Sequence, residues 1–214
     1  QLSHIHPQGI FEPFWPALVG NRVYFTAYDP LHGRELWMES GGERPPVLVA
    51  DINSDESLNP SSSPSEMTAL GDRLLFAADD IEHGNELWTS DGTEGGTVLL
   101  RDIALGLPSS NPEQITPVGA LAYFRAESLG DGVELWVTDG TPQGTIMVKD
   151  IYPGEGSSNP DHQIAFGDML IFMAQTPQEG NELWRLRAGK EPDTLANIRG
   201  GPESTNARNF FVWK

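Results

Sequence analysis

One phrase occurs twice in this chain with few changes: NELWTSDGTEGGTVLLRDI at 85–103 and VELWVTDGTPQGTIMVKDI at 133–151. Four columns of residues extend the repeat along the chain, each with successive intervals of 51, 48 and 48 residues. They are Trp37, Trp88, Trp136 and Trp184; Phe25, Phe76, Phe124 and Phe172; Gly20, Gly71, Gly119 and Gly167; and Gly33, Gly84, Gly132 and Gly180. This period predicts copies of one small structural unit.

Each copy is predicted to form four strands. In the second copy they are PSEMTAL before Gly71, RLLFAAD, the ELW segment and VLLRDI, with Gly, Asp and Ser-Pro turn residues between them. Four strands in about 48 residues are typical of a β-propeller blade. We therefore predict an all-β fold, a small propeller of four blades of four antiparallel strands.

The predicted units lie at about 10–52, 61–103, 109–151 and 157–198 within a single domain, 1–214. Partial strands at 1–9 and 204–214 are expected to close the ring by pairing across the seam. A fragment of a larger array, or a dimer that shares sheet edges, are the alternatives, because an open edge invites pairing.

The pattern resembles the ELWxxDGT repeat family of bacterial, often exported proteins, and more loosely the blades of TolB-like propellers. ELWTSDGT and ELWVTDGT fit the pattern fully, whereas ELWMESGG and ELWRLRAG keep its first half. The resemblance covers nearly the whole chain. It implies a propeller-type module, secreted or at the cell surface, and no single activity.

Composition restricts the partners. The net charge is −18, which opposes binding to nucleic acid and to anionic membranes. The chain has no cysteine, so disulfides, thiolate metal ligands and cysteine nucleophiles are excluded. No apolar run reaches the ~18 residues needed to cross a bilayer, and no signal peptide is recognisable. Because Gln1 stands in place of an initiator methionine, a processed or trimmed product is expected.

The repeated residues are predicted to be structural. Tryptophans present in every blade fit packing between blades, because losing one buried tryptophan costs about 3–5 kcal/mol. The glutamate before each Leu-Trp is expected to accept hydrogen bonds from a backbone turn or a threonine hydroxyl of its own blade, since a lone buried charge is costly. These glutamates are Glu35, Glu86, Glu134 and Glu182. Asp91-Gly92-Thr93 and its copy at 139–141 predict a tight turn in which threonine bonds back to aspartate; bound calcium is the alternative.

Recognition is expected where the copies differ. Five residues before each turn glycine the chain has Trp15, Glu66, Gln114 and His162, with Asn209 as the counterpart near the C-terminus. The preceding column contributes Glu113, Asp161 and Arg208. If these strands are innermost, the two columns form an asymmetric polar pocket at the axial mouth, where propellers commonly take ligands. A solvent-lined channel without a ligand is the alternative.

A second variable column precedes the glycine of the ELW turn: His32, His83, Asp131 and Glu179. Two imidazoles and two carboxylates suit zinc, iron or manganese. Loops on neighbouring blades are nevertheless expected to lie more than about 10 Å apart, against the ~2 Å of a metal–ligand bond, so ordinary surface residues are the preferred interpretation. No cofactor is predicted, with calcium or another divalent cation left open.

The leading hypothesis is a non-catalytic module that recognises a protein, peptide or carbohydrate at its axial face, as a monomer or dimer. No G-x-S-x-G, H-E-x-x-H or phosphate-binding glycine loop is present. An enzyme with a shallow axial site, a metal-assisted or carbohydrate-cleaving hydrolase or lyase, is the second hypothesis, with Glu66, Glu113, Asp161 and His162 as its acids and bases. An architectural protein that assembles through its edges is the third.

Overall fold

The computed structural model describes residues 14–41, 45–54 and 61–196. These residues form sixteen strands in four antiparallel sheets, and the described part of the chain has no helix. The first sheet contains β1 (Phe14–Val19), β2 (Arg22–Asp29), β3 (Gly33–Glu39) and β4 (Val47–Ala50). The second contains β5 (Ser65–Leu70), β6 (Arg73–Asp80), β7 (Gly84–Ser90) and β8 (Val98–Arg101). The third contains β9 (Glu113–Val118), β10 (Leu121–Ser128), β11 (Gly132–Thr138) and β12 (Ile146–Lys149). The fourth contains β13 (Asp161–Phe166), β14 (Met169–Thr176), β15 (Gly180–Arg187) and β16 (Asp193–Ala196).

Each sheet pairs its strands in chain order, as the blades of a propeller do. The predicted fold class, all-β with four blade-type sheets of four antiparallel strands, is therefore confirmed. The chain divides into two compact units, residues 1–111 with the first two sheets and residues 112–214 with the last two. The closing strands predicted at 1–9 and 204–214 lie outside the described residues, and the single-domain boundaries stay a prediction.

The repeated aromatic pair occupies the same register in every sheet. Phe25 faces Trp37 across β2 and β3, and Phe172 faces Trp184 across β14 and β15. The second and third sheets repeat this pairing. The four tryptophans are therefore placed equivalently within their sheets, as the sequence repeat predicted.

Within each unit, one face of the first sheet packs on a face of the next. In the first unit Tyr24 and Leu36 are fully buried against Phe76, with Trp88 at the margin of this cluster. In the second unit Tyr123, Leu135, Phe172 and Trp184 form the corresponding cluster. The ELW tryptophan of the second sheet in each unit therefore contributes to packing between sheets, as predicted. Burial of such side chains contributes about 1.5–3 kcal/mol each.

The buried glutamate of the ELW strand holds the segment that enters the next repeat. The Glu86 carboxylate accepts hydrogen bonds from the backbone N–H groups of Ile103, Ala104 and Ser110, at 3.1–3.2 Å, and from the Ser110 hydroxyl at 2.5 Å. Glu134 has the four equivalent partners, and Glu35 accepts from the backbone N–H groups of Ile52 and Ser62 and from the Ser62 hydroxyl. The predicted backbone bonds are confirmed for these three glutamates. The hydroxyl prediction was wrong, because its donor is a serine of the following repeat rather than a threonine of the same blade.

Burial raises the pKa of these carboxyl groups, and the hydrogen bonds lower it only in part. The pKa of Glu35 is raised to about 7, and those of Glu86 and Glu134 are raised in the same sense. All three side chains are fully buried. The glutamates are thus structural residues that connect consecutive sheets.

The Asp-Gly-Thr turns have the predicted internal bonds. The backbone N–H and the hydroxyl of Thr93 both donate to Asp91 Oδ1, at 2.9 and 2.7 Å, and the turn at 139–141 repeats this. Gly92 has φ +90° and lies against the first sheet, where an added Cβ would be 2.6 Å from the Tyr24 hydroxyl oxygen. Asp91 thus stabilises its own turn, and this turn lies against the first sheet at Tyr24.

Candidate ligand-binding site at the first-strand bulges

The first strand of every sheet contains a β-bulge. The pairing of β1 with β2 shifts between Phe14 and Ala17, and the other three first strands shift at the equivalent position. The bulge results from a left-handed residue, with φ between 53° and 56°, at Trp15, Glu66, Gln114 and His162. This is the column that the sequence singled out as variable. A bulge redirects the side chain it carries, so its residue type matters more than in a regular strand.

None of these four left-handed residues is glycine or asparagine, the types that adopt this conformation most easily. A left-handed conformation costs an ordinary residue about 1–2 kcal/mol. Strain of this kind is typical of ligand-binding and catalytic positions, where the side chain is retained at the expense of stability. The sequence predicted variability at this column but not its backbone geometry.

In the second unit the bulges of β9 and β13 are joined by polar side chains. Gln114 Nε2 donates to Asp161 Oδ1 at 2.5 Å, and the backbone N–H of Gln163 donates to Gln114 Oε1 at 3.4 Å. Asp161 also accepts from the backbone N–H of His162 at 2.8 Å, and its Oδ2 lies 3.1 Å from His162 Nδ1. The structure therefore brings three predicted site residues, Gln114, Asp161 and His162, into direct contact.

An ion pair extends this cluster. Arg125 lies opposite Glu113 in the β9–β10 register, and its Nε donates to Glu113 Oε2 at 2.9 Å. Burial acts to raise the pKa of Asp161. The hydrogen bonds from Gln114 and from the His162 backbone, with the charges of His162 and Arg125, outweigh burial and lower this pKa. Asp161 is consequently an anion at neutral pH. The sequence interpretation missed Arg125, although a charged residue in an otherwise mainly apolar column was a usable signal.

In the first unit the equivalent bulges are more aromatic. The Trp15 and Phe14 side chains are 52% and 48% exposed, and the Arg34 guanidinium carbon lies 5.2 Å from the centre of the Phe14 ring. Strand β1 contacts β5, which carries the partly buried Glu66. This edge therefore offers an exposed indole next to a carboxylate-bearing strand.

The metal-ligand column is occupied by local turn interactions. His32 Nδ1 and His83 Nδ1 each lie 2.8 Å from an aspartate three residues earlier, and the bond to Asp80 raises the pKa of His83. Asp131 Oδ2 accepts from the Ser128 hydroxyl at 3.1 Å. Glu179 differs: its backbone N–H donates to the Thr176 hydroxyl at 3.0 Å, and its Oε2 accepts from the hydroxyl of Thr194 in β16 at 3.3 Å. Across residues 14–41, 45–54 and 61–196, no three His, Asp or Glu side chains are grouped to hold a metal ion.

Two predicted site residues, Arg208 and Asn209, lie outside the described residues, so their part in the predicted axial pocket stays a prediction. The described ranges also contain no helix of the length and apolarity that a bilayer crossing requires.

Comparison with known proteins supports the fold alone. A puromycin hydrolase mutant has 17% identity and a TM-score of 0.53 over 89% of this chain and 29% of its own. The Pyrococcus horikoshii acylaminoacyl peptidase has 16% identity and a TM-score of 0.51 over 87% of this chain and 27% of its own. A TolB from Acinetobacter baumannii has 13% identity and a TM-score of 0.48 over 86% and 43%.

No protein-family model and no curated protein matches the chain. The similarity to the ELWxxDGT family therefore remains a resemblance carried by the repeated phrase. The chain spans less than a third of the two hydrolases that it resembles. What the comparisons establish is the fold alone, shared with the puromycin hydrolase and the acylaminoacyl peptidase.

Proposed function

We propose that this chain is a non-catalytic binding module that recognises a peptide, protein or carbohydrate through its bulged first strands, the edge predicted to be axial. One observation carries the proposal: the same strained backbone position recurs in every sheet but bears a different side chain each time, Trp15, Glu66, Gln114 or His162. A purely structural bulge would be served best by glycine in all four places.

The second unit offers the chemistry of a polar recognition surface. Gln114 and His162 present amide and imidazole groups, Asp161 is anionic, and Glu113 is half-exposed beside Arg125. Hydrogen-bond donors and acceptors lie close together here, which suits peptide groups or sugar hydroxyls, because these groups also present donors and acceptors. The net charge of −18 weighs against a strongly anionic ligand.

The first unit adds an apolar contact of the kind that binding sites use. An exposed tryptophan provides a large, rigid area at low conformational cost, and it stacks on sugar rings or on aliphatic and aromatic side chains. Trp15 is half exposed at the bulge, where an apolar side chain gains little from folding. Contact with a ligand accounts for an exposed tryptophan at this place.

The similar peptidases and hydrolases do not support a catalytic proposal, because their likeness is one of fold and covers under a third of their length. A secreted or cell-surface location is also proposed, on the resemblance to the ELWxxDGT family alone.

Equilibrium binding to a panel of glycans and peptides tests the proposal. For a ligand found in the panel, Trp15→Ala or His162→Ala should weaken affinity at least about tenfold, equivalent to 1.4 kcal/mol. The control Lys190→Ala, at an exposed turn, should leave it unchanged. Silence across the panel together with turnover of a substrate, lost in Glu66→Gln, would instead favour the enzyme hypothesis.

A further inference from the structure

The buried glutamate of an ELW strand is connected through a short linking segment to the bulge of the following sheet. Glu35 in β3 accepts hydrogen bonds from the backbone N–H of Ser62, at 2.8 Å, and from the Ser62 hydroxyl. The linking segment 62–64 leads into β5, and the bulge residue Glu66 follows Ser62 by four positions. Glu35 and Ser62 are both fully buried. A change at this carboxyl group therefore acts close to the candidate ligand site.

The linking segment of the first unit has little conformational freedom. Ser63 is left-handed, with φ 46°, and its N–H donates to the Arg34 carbonyl oxygen at 3.0 Å. Pro64 is buried, and its ring fixes its own φ. Because these residues cannot adjust freely, the position of the bulge residue depends on where the glutamate holds the segment.

The second unit has the same arrangement, with the linking segment 158–160. Glu134 accepts from the N–H of Ser158 at 2.9 Å, Asn159 is left-handed with φ 46°, and the proline after it is buried. The Asn159 N–H donates to the Val133 carbonyl oxygen at 3.2 Å, and the bulge residue His162 follows Ser158 by four positions. The connection thus recurs in both units, whereas the side chain at the bulge varies.

The two carboxyl groups are held in an environment that disfavours their charge. Burial raises the pKa of Glu35 to about 7, and the negative charge of Asp51 acts in the same sense, while the hydrogen bonds oppose this rise. Burial likewise raises the pKa of Glu134 against its hydrogen bonds. The donors that face both groups are backbone N–H groups and serine hydroxyls, which do not titrate in this range. Asp51 is itself affected by the charges of His32, Asp29 and Glu94.

Ionisation favours release of the linking segment. When the segment leaves, water reaches the carboxyl group of Glu35 and its pKa returns to 4.5. The stability of the bound segment is therefore fully present below pH 4.5 and is lost as the pH rises through 7. Between pH 5 and pH 8 the ratio of bound to released segment should fall by up to about 70-fold.

We propose that Glu35 and Glu134 are positioning residues of the ligand site: each holds the next bulge residue in place while it is uncharged and releases it on ionisation. The candidate site of each unit is then ordered in mildly acidic solution and loosened above neutral pH, where the affinity for a ligand falls. This consequence rests on the proposed binding function, whereas release of the segment itself does not.

Amide hydrogen exchange of the intact chain between pH 5 and pH 8, measured by NMR and corrected for the intrinsic exchange rate, tests the proposal. The amides of Ser63 and Asp79 report on the first linking segment, and those of Asn159 and Gln175 report on the second. Each of these N–H groups makes a hydrogen bond of 2.9–3.2 Å that joins a segment to a strand. Their protection should fall at least about tenfold from pH 5 to pH 8.

Three substitutions separate this effect from a general loss of stability. Glu35→Gln should abolish the pH dependence in the first segment and leave it unchanged in the second, because glutamine does not ionise, and Glu134→Gln should do the reverse. The control Glu82→Gln, at an exposed turn, should keep the pH dependence in both segments. If Glu35→Gln does not fold, the unaltered chain and Glu134→Gln make the same test.

Equal protection at pH 5 and pH 8 in the unaltered chain would overturn the proposal. So would a pH dependence that survives Glu35→Gln in the first segment, or one that a single substitution removes from both segments. Because the measurement uses no ligand, its outcome is separate from that of the binding panel.

Discussion

Exchange of His162 for glycine and for alanine tests whether the bulge stores strain. Both variants lack the imidazole, so its interactions with Asp161 cancel from the comparison. At φ 54° alanine keeps the unfavourable contact of its Cβ, which costs about 1–2 kcal/mol, and glycine removes it. Glycine in turn loses roughly 0.5–1 kcal/mol through the greater flexibility of its unfolded chain. The His162→Gly variant should therefore be more stable than His162→Ala, by up to about 1.5 kcal/mol.

Ala165 provides the matched control in the same strand, because it is also exposed and lies outside the residues with positive φ. Here Ala165→Gly should destabilise the protein by roughly 0.5–1 kcal/mol, the ordinary penalty for glycine in a strand. The sign of the glycine-minus-alanine difference should thus reverse between positions 162 and 165.

Urea denaturation followed by tryptophan fluorescence measures these differences, and each kcal/mol corresponds to about 2–4 °C in melting temperature for a chain of this size. If the protein with glycine is less stable than the protein with alanine at both position 162 and position 165, the bulge is unstrained. The argument that its side chains are kept for recognition would then fail.

Three further results are expected. Since the pKa of Glu35 rises from 4.5 to about 7 on folding, the folded state binds the proton of this carboxyl group more tightly. The stability that this proton contributes is fully present below pH 4.5 and should be lost as the pH rises towards 7. The unfolding free energy of the unaltered chain should therefore fall between pH 5 and pH 8, and Glu35→Gln should reduce this fall by up to about 3 kcal/mol. Ser110→Ala should cost about 1.5–3 kcal/mol of unfolding free energy, because a buried carboxyl group loses its hydroxyl donor. Gly92→Ala should lower the melting temperature more than Gly106→Ala, since both glycines have φ near +90° but only at Gly92 would the new Cβ meet the Tyr24 hydroxyl; equal losses would exclude that contact as the cause.

The fold was predictable because the repeat encodes it redundantly. Trp88 and Phe76, for example, recur at fixed distances from the turn glycine Gly71, and the two residues lie opposite each other in the β6–β7 pairing. The role of Glu86 as a buried acceptor also followed from its repetition. Its serine donor was missed because Ser110 belongs to the next repeat, and the repeated Ser-Ser before Asn-Pro or Ser-Pro was interpreted only as turn chemistry.

The candidate site was predictable only as a set of positions. Variation from Trp15 to His162 in an otherwise conserved repeat unit indicated recognition, but positive φ at these residues has no signature in their side-chain types. The contact between Gln114 and Asp161 depends on the approach of β9 to β13, which is a tertiary feature.

The division of this chain into a structural repeat and a variable recognition edge is tested most directly by one pair of tryptophans. Trp184 is 8% exposed in the packing between sheets, and Trp15 is 52% exposed at a bulge. Chemical denaturation of the two alanine variants should show a loss of about 3–5 kcal/mol for Trp184→Ala and less than about 0.5 kcal/mol for Trp15→Ala. Equal losses, or a larger loss at Trp15, would contradict the account.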